Sequence, residues 1–458
     1  MPIEAKRLLA LAFAMFALLA MGLGYVQIIL RGDLQADPRN PYLALADPDV
    51  SRGGIRAQGG EIICTGPGVD SRRYTVPSLC HILGYIDPSY GASGMEAVYN
   101  NLLTGSDLWA QAANILSVLK GRRKSGADLV TTIDLRLQRA ATNALGSRTG
   151  AVVVMDAANG GILAMVSRPF FHNPPTKDSW QRDLARDDAP LLNRATQGLY
   201  PPGSVYKLIV AAAAMRAGLE DFATDCRGQT AVEGRRITED GQGGHGVRVD
   251  LRKALKVSCN IYFVRLAVKI GADKLISQAM SFGLHRQTPF ALPVAAGSLP
   301  RPVSGAELVE NGIGQGRILV TPLQMALVAA AIVNDGIIIQ PRLVDCIRYP
   351  GGRAVKIHPR AWCRALDVRS GTLIKEDMIE AVRHGTGWRA AAGNSIVGGK
   401  TGTAQATGGR PHAWFIGFRQ KGNSRLAVAI VVEHAGSGGA VAAPIAAAVW
   451  RAAAGGVE

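Results

Sequence analysis

Ser204 and Lys207 stand three residues apart in Tyr200-Pro201-Pro202-Gly203-Ser204-Val205-Tyr206-Lys207. On a helix that spacing puts a hydroxyl and an amine on one face, within reach of each other. The two prolines and the glycine mark a turn that launches the helix, so Ser204 belongs to its first turn. There the free backbone N–H groups and the positive end of the helix dipole favour developing negative charge. Such a serine, with an amine one turn below it, suits nucleophilic catalysis. The pair alone is a weak signal, because a helix start followed by a surface lysine reads the same way. Two further stretches give it weight. Ser258-Cys259-Asn260 adds a second hydroxyl and an amide after the helical-looking run Leu251–Val257. Lys400-Thr401-Gly402-Thr403 adds a cation and two hydroxyls around a glycine that permits close backbone approach.

These groups need elements to hold them. Leu208 to Met215 is apolar on every side, as in a helix buried within a core. Thr131–Asp134 reads as a strand leading into an amphipathic helix, Leu135–Leu145. Ala151–Asp156 and Ile162–Ser167 read as two strands joined through Asn159-Gly160, a strong hairpin signal. Ile396–Gln405, Ala413–Phe418 and Leu426–Glu433 read as three more strands, and an Ala-rich helix from about Pro444 to Ala454 closes the chain. Five strands of antiparallel character, with helices before, between and after them, give an α+β layer fold.

The length of 458 residues allows two or three domains. Hydrophobic residues at 48% and charged ones at 19% fit a folded protein with a membrane segment. Leu8 to Leu30 is long enough to span a bilayer and longer than the apolar core of a cleavable signal peptide; its only strongly polar member is Gln27. Lys6 and Arg7 precede it, which keeps residues 1–7 cytoplasmic and sends everything after Arg31 outside. The expectation is an uncleaved single-pass anchor. The net charge of +16 is scattered, with no aromatic-interleaved basic stripe and no DNA-reading motif, so no nucleic-acid partner is expected. A cell wall or an acidic lipid is a sufficient partner.

Residues 31–128 are rich in turns, such as Asp37–Pro41, Asp47–Asp49 and Gly66-Pro67-Gly68, with short strands at Glu61–Ile63 and Tyr74–Val76. The six cysteines (Cys64, Cys80, Cys226, Cys259, Cys346 and Cys363) are irregularly spaced in a chain large enough to fold without staples. Cys64 with Cys80 and Cys346 with Cys363 are the two pairings worth testing. Cys259, inside the Ser-x-Asn stretch, reads as a small apolar packing residue. No histidine stands at ligand spacing to a cysteine, so neither a metal nor another cofactor is expected.

Ser-x-x-Lys, Ser-x-Asn and Lys-Thr-Gly, in this order, resemble the signature of penicillin-binding proteins and serine β-lactamases. The chain most resembles the class B penicillin-binding transpeptidases, which are membrane-anchored and lack their own glycosyltransferase. Arg52-Gly53-Gly54-Ile55 resembles that family's opening Arg-Gly-x-Ile segment, although Ala57 and Gln58 replace a usual acidic–basic pair. Gly91–Glu96 through Leu102–Gly105 resembles the stretch that precedes the catalytic domain. Leu191–Ala195, Glu310–Gly316, Thr321–Ala326 and His412–Phe415 are similar to further family stretches. The resemblance implies a β-rich pedestal over residues 31–128, then a transpeptidase domain over 129–458 with a five-stranded sheet flanked by helices.

It also implies the roles. Ser204 attacks the carbonyl between two terminal D-alanines of a peptidoglycan stem peptide, on a lipid-linked precursor or nascent glycan, and forms an acyl-enzyme. Lys207 serves as base if desolvation and neighbouring cations leave it a neutral fraction; Lys400 is such a neighbour and also holds the anionic substrate. Ser258 relays a proton to the leaving amine, and Asn260 fixes Lys207 and the substrate amide. Backbone N–H groups of Ser204 and Thr403 form the oxyanion hole, while Thr401 and Thr403, around Gly402, grip the terminal carboxylate. β-Lactams are the expected covalent inhibitors. A multi-pass SEDS-type glycosyltransferase is the implied partner, docking through Leu8–Leu30, with the catalytic domain outside the bacterial cell membrane. His412 and Trp414 are expected to shape a strand rather than do chemistry, Gln405 to line the site at most, and His245 to sit in a Gly-rich loop, Gly241–Gly246, without phosphate chemistry. Three other readings stand beside this one. A D,D-carboxypeptidase would use water as acceptor, a serine β-lactamase would need a further carboxylate, and a catalytically idle scaffold would need none of them.

Overall fold

A computed structural model describes residues 3–29, 50–239, 243–406 and 408–455. Leu30, the turns expected at Asp37–Pro41 and Asp47–Asp49, and Gly241 in the Gly-rich loop lie outside these residues. Helix α1 spans Ile3–Gly24 and continues as a π-turn to Ile29. It therefore begins five residues before the apolar run, because Glu4, Lys6 and Arg7 are good helix formers that extend it. Its mean hydropathy of 2.0 and its length suit a bilayer crossing.

The β-rich region is a six-stranded sheet. Ile55–Arg56 (β1), Ile62–Thr65 (β2) and Arg73–Tyr74 (β3) form one side of it. Helix α2 (Leu108–Leu119) follows, capped by Asp107. Strand β4 (Asp128–Thr131) then pairs parallel with β1 and antiparallel with Val344–Arg348, a strand from much later in the chain. The boundary expected near Leu129 thus falls inside a strand of this sheet. The strand expected at Thr131–Asp134 is shifted toward the N-terminus, because Asp134 caps the next helix instead. Its carboxylate accepts the N–H groups of Arg136 and Leu137 at the start of α3 (Leu135–Leu145).

Three residues well separated in sequence hold this region together. Glu96, buried completely, accepts hydrogen bonds from Arg52 Nη2 and Arg72 Nε, both at 2.6 Å. Arg52 comes from the Arg-Gly-x-Ile segment and Glu96 from the Gly91–Glu96 stretch, while Arg72 joins them from between.

The second sheet has five antiparallel strands: β5 (Gly150–Asp156), β6 (Ile162–Arg168), β7 (Ile396–Ala404), β8 (His412–Lys421) and β9 (Ser424–Val432), in the order β6-β5-β9-β8-β7. Both faces are covered. Val152, Val154, Val428 and Ile430 face α3 and the closing helix α9 (Gly438–Ala454), while Ala151, Val153, Ala429 and Val431 face the helical lobe. That alternation is the two-residue period of a strand, with apolar residues on both sides because both sides are buried. Helix α9 begins at Gly438, six residues before the expected start, and Pro444 lies within it. In the helical lobe Pro322–Val333 is buried along its whole length. The Thr321 and Gln324 side chains bond to each other's backbone N–H and cap it reciprocally. All six thiols are free, so neither of the two candidate disulfides forms.

Candidate active site

Ser204 lies in a 3-10 turn, Gly203–Tyr206, that runs into helix α4 (Lys207–Arg216). The turn packs against the edge strand β7, and two glycines allow it. Gly203 has φ +57°, and a Cβ there would approach Thr403 O to 2.9 Å. A Cβ on Gly402 would meet Trp414 Cβ at 3.0 Å and Val205 Cγ1 at 3.1 Å. Trp414 Nε1 donates to Pro201 O at 3.1 Å and braces the same turn from β8. Strand β7 is an edge, so alternate backbone N–H groups along it are not used by the sheet.

Helices α5 (Leu251–Val257) and α6 (Asn260–Ile270) meet at Ser258, a left-handed residue with φ 62°. A non-glycine residue in that conformation carries strain of about 1–2 kcal/mol. Here it turns the Ser258 hydroxyl toward two lysines. Lys207, fully buried, donates to Ser258 O at 2.7 Å, Asn260 Oδ1 at 2.7 Å and Ser258 Oγ at 3.3 Å. Lys400 reaches the same hydroxyl at 2.8 Å and bonds Thr401 O at 3.1 Å. Burial first, and the neighbouring Lys207 second, hold Lys400 well below the usual lysine pKa. Burial disfavours the charged form, and a second cation on the same hydroxyl disfavours it further.

Above the lysines lies a cleft of about 340 Å³. Ser204, Ser258, Asn260, Thr401 and Thr403 all line it, so three stretches separated by up to two hundred residues meet in one place. Gly402 stays in the strand wall. Gln405 and His245 also line the cleft. His412 packs edge-on to Tyr200, with ring centroids 5.5 Å apart.

Sequence reasoning missed several lining residues: Glu239, Gln315, Thr386 and Ser437. Gln315 lay within the family-like stretch Glu310–Gly316, and Thr386 carried no signal although its hydroxyl accepts from Thr401 Oγ1 at 2.8 Å. Glu239 is the consequential omission. Its carboxylate accepts the backbone N–H groups of Ile261 at 2.7 Å and Asn260 at 3.0 Å, and the Cys259 thiol at 3.2 Å. Burial works against its charge, but those N–H groups, the thiol and Lys207 outweigh it and keep the carboxyl below its ordinary pKa. Glu239 therefore anchors the first turn of α6, from which Asn260 reaches Lys207.

Cys226, Glu239, His245 and Cys259 present one ligand atom each, all within 4.8 Å of one another. Linear spacing hid this set, since its members come from four separate segments. Two thiols, a carboxylate and an imidazole form a donor set suited to zinc, whose tetrahedral ligands would need only a small contraction from this arrangement. The set adjoins the cleft through Glu239 and His245 and contains none of the nucleophile's own groups.

Comparison with known proteins agrees with this geometry. Residues 150–451 match the penicillin binding protein transpeptidase domain, and residues 52–129 match the penicillin binding protein A dimerisation domain. The peptidoglycan D,D-transpeptidase PbpA of Mycolicibacterium smegmatis is 33% identical over 96% of both chains. PbpA of Mycobacterium tuberculosis is 33% identical over 98% of both. Among solved structures, the penicillin G acyl-enzyme complex of penicillin-binding protein A from M. tuberculosis superposes with a TM-score of 0.82, at 32% identity, over 88% of this chain and 100% of that one.

Proposed function

The chain belongs to the class B penicillin-binding transpeptidases, and on that premise we propose which of its residues carry each step. It is a peptidoglycan D,D-transpeptidase that cross-links stem peptides through a serine acyl-enzyme and binds β-lactams covalently. Ser204 Oγ attacks the penultimate D-alanyl carbonyl and passes its proton to Lys207, which two acceptors, Ser258 O and Asn260 Oδ1, hold beneath it. Ser258 then carries a proton to the departing terminal D-alanine. A primary amine of a second stem attacks the ester, and Ser204 regains its proton. The charge that develops on the carbonyl oxygen is met by the backbone N–H groups of Ser204 and Thr403. Removing one donor of such a pair ordinarily costs about 10²–10³ in rate. Thr401, Thr403 and Lys400 take the terminal carboxylate. The observation that carries this reading is the convergence of all three stretches on one cleft, with two buried lysines on one hydroxyl.

Helix α1 acts as a single-pass anchor with the catalytic domain outside the bacterial membrane, as its apolar length and the preceding Lys6 and Arg7 support. Glycan polymerisation then falls to a separate enzyme, a multi-pass SEDS-type glycosyltransferase docking beside α1.

The test is a time course of intact mass with labelled penicillin, on the protein and on Ser204→Ala. A single adduct lasting many minutes on Ser204, absent from the variant, is the expected result. An adduct cleared within seconds would point to a β-lactamase, and none at all to an idle scaffold. Transfer of a donor stem peptide to an amine rather than to water separates the transpeptidase from a carboxypeptidase.

A further inference from the structure

We propose that helix α2 and the basic residues after it form a contact face for an anionic lipid bilayer. Helix α2 is amphipathic in the opposite sense to a helix in water. Its inward stripe is Ala110, Asn114 and Ser117, spaced four and three apart, and two of the three are polar. Asn114 fixes the docking: its amide donates to Ser125 O at 3.0 Å and its carbonyl accepts the Ser125 N–H at 3.0 Å. The apolar residues face outward, with Arg353 lying over the Trp109 ring at 4.0 Å. Trp109, Ile115, Leu116 and Val118 are each half or more exposed, Leu108 is 83% and Leu119 77% exposed. Six such side chains on twelve residues make a contiguous patch rather than scattered surface hydrophobes. Ile115, Val118 and Leu119 also border a groove of about 570 Å³ against Val50.

Charge selects the occupant. No acidic residue lies within α2, and Asp107 at its start spends its carboxylate on the N–H groups of Trp109 and Ala110. Lys120, Arg122 and Arg123 follow the helix directly and are exposed. Outward Trp and Leu beside clustered Lys and Arg are the features of a helix lying in the interface of a negatively charged membrane. Chain length puts such a surface within reach. Only residues 30–49 separate α1 from Val50, which pairs with Lys124 at the end of this basic run. At ~3.5 Å per residue that tether spans at most about 70 Å. The inference rests on the reading of α1 as the anchor.

The full chain is reconstituted into vesicles of phosphatidylcholine alone or mixed with phosphatidylglycerol, with bromine-labelled acyl chains as quencher. Emission from Trp109 is taken as the difference from Trp109→Phe, and flotation reports anchoring separately. The expected result is bromine quenching of Trp109 in the anionic vesicles. It should be lost in Lys120→Glu/Arg122→Glu/Arg123→Glu, with penicillin acylation unchanged as the sign of an intact fold. Floating anionic vesicles in which Trp109 is unquenched would overturn the proposal and leave the face to a protein partner. Equal quenching in both lipids would overturn the anionic preference. Failure to float would overturn the anchor reading and this inference with it.

Discussion

Lys400 Nζ lies 2.8 Å from Ser258 Oγ, and Lys207 donates to the same oxygen at 3.3 Å. One neutral hydroxyl separates two buried amines. In the mechanism proposed above, that oxygen passes a proton taken from Ser204 to the leaving group. Ser258→Ala is therefore expected to lower the acylation rate constant by about 10²–10⁴-fold, the range for loss of a positioned proton-transfer group. Stopped-flow acylation with a chromogenic β-lactam measures this, and an unchanged rate would remove Ser258 from the relay.

Lys400, held below the ordinary lysine range, loses its proton at lower pH than a free lysine would. If its charge holds the substrate carboxylate, affinity falls as pH rises through that lowered value, before any ordinary lysine titrates. KM for a carboxylate-bearing donor peptide should rise on that limb, with kcat less affected. Lys400→Arg keeps its charge throughout, so its KM should be flat over the same interval. A rise of equal size in the variant would contradict the assignment.

Glu239 lines the cleft and accepts the backbone N–H groups that set Asn260 in place. Glu239→Gln keeps the size but offers the backbone N–H groups of Asn260 and Ile261 a weaker, uncharged acceptor. A shift of the Asn260 amide by about 1 Å is enough to cost on the order of 10²-fold in rate. The expected signature is a fall in kcat with slow but complete labelling of Ser204. A purely structural role would instead lower thermal stability and leave the rate of the folded fraction unchanged.

The chemistry was more legible in the sequence than the scaffold. Ser204, Ser258 and Thr401 carry their motifs in short windows, and the five strands alternate or run apolar as buried strands must. What escaped was set by distant partners. The strand Asp128–Thr131 pairs with residues two hundred positions later, which no local pattern reveals. Helix α9 runs through Pro444 from a start at Gly438 that no capping side-chain bond marks. Glu239 belongs to no motif, and only the fold brings the start of α6 onto it.

The same hidden packing creates the donor set Cys226, Glu239, His245 and Cys259. Burial and the Glu239 charge push the Cys259 thiol above its ordinary pKa, so only a cation of some affinity would strip its proton. Purified without chelator, the chain is expected to retain about one zinc, the stoichiometry of one four-donor site. Elemental analysis reads this directly, and Cys226→Ser/Cys259→Ser should abolish it. A metal-free protein that also fails to take up added zinc would leave these thiols as packing groups.

The buried triad of the pedestal sets acid sensitivity. Burial opposes the Glu96 charge, but Arg52 and Arg72 overcome it and hold the folded pKa below that of a free glutamate. A depressed carboxylate contributes stability that is complete above the unfolded pKa and lost as pH falls through the folded one. The pedestal should thus resist mild acid and weaken only below the ordinary carboxylate range. Glu96→Gln leaves two guanidinium groups buried without a counter-charge, at a cost of about 3–5 kcal/mol. Urea unfolding at neutral pH measures that loss. In the variant the acid limb of stability due to this site should vanish, because no group there remains to titrate; a limb that persists unchanged would place the acid sensitivity elsewhere.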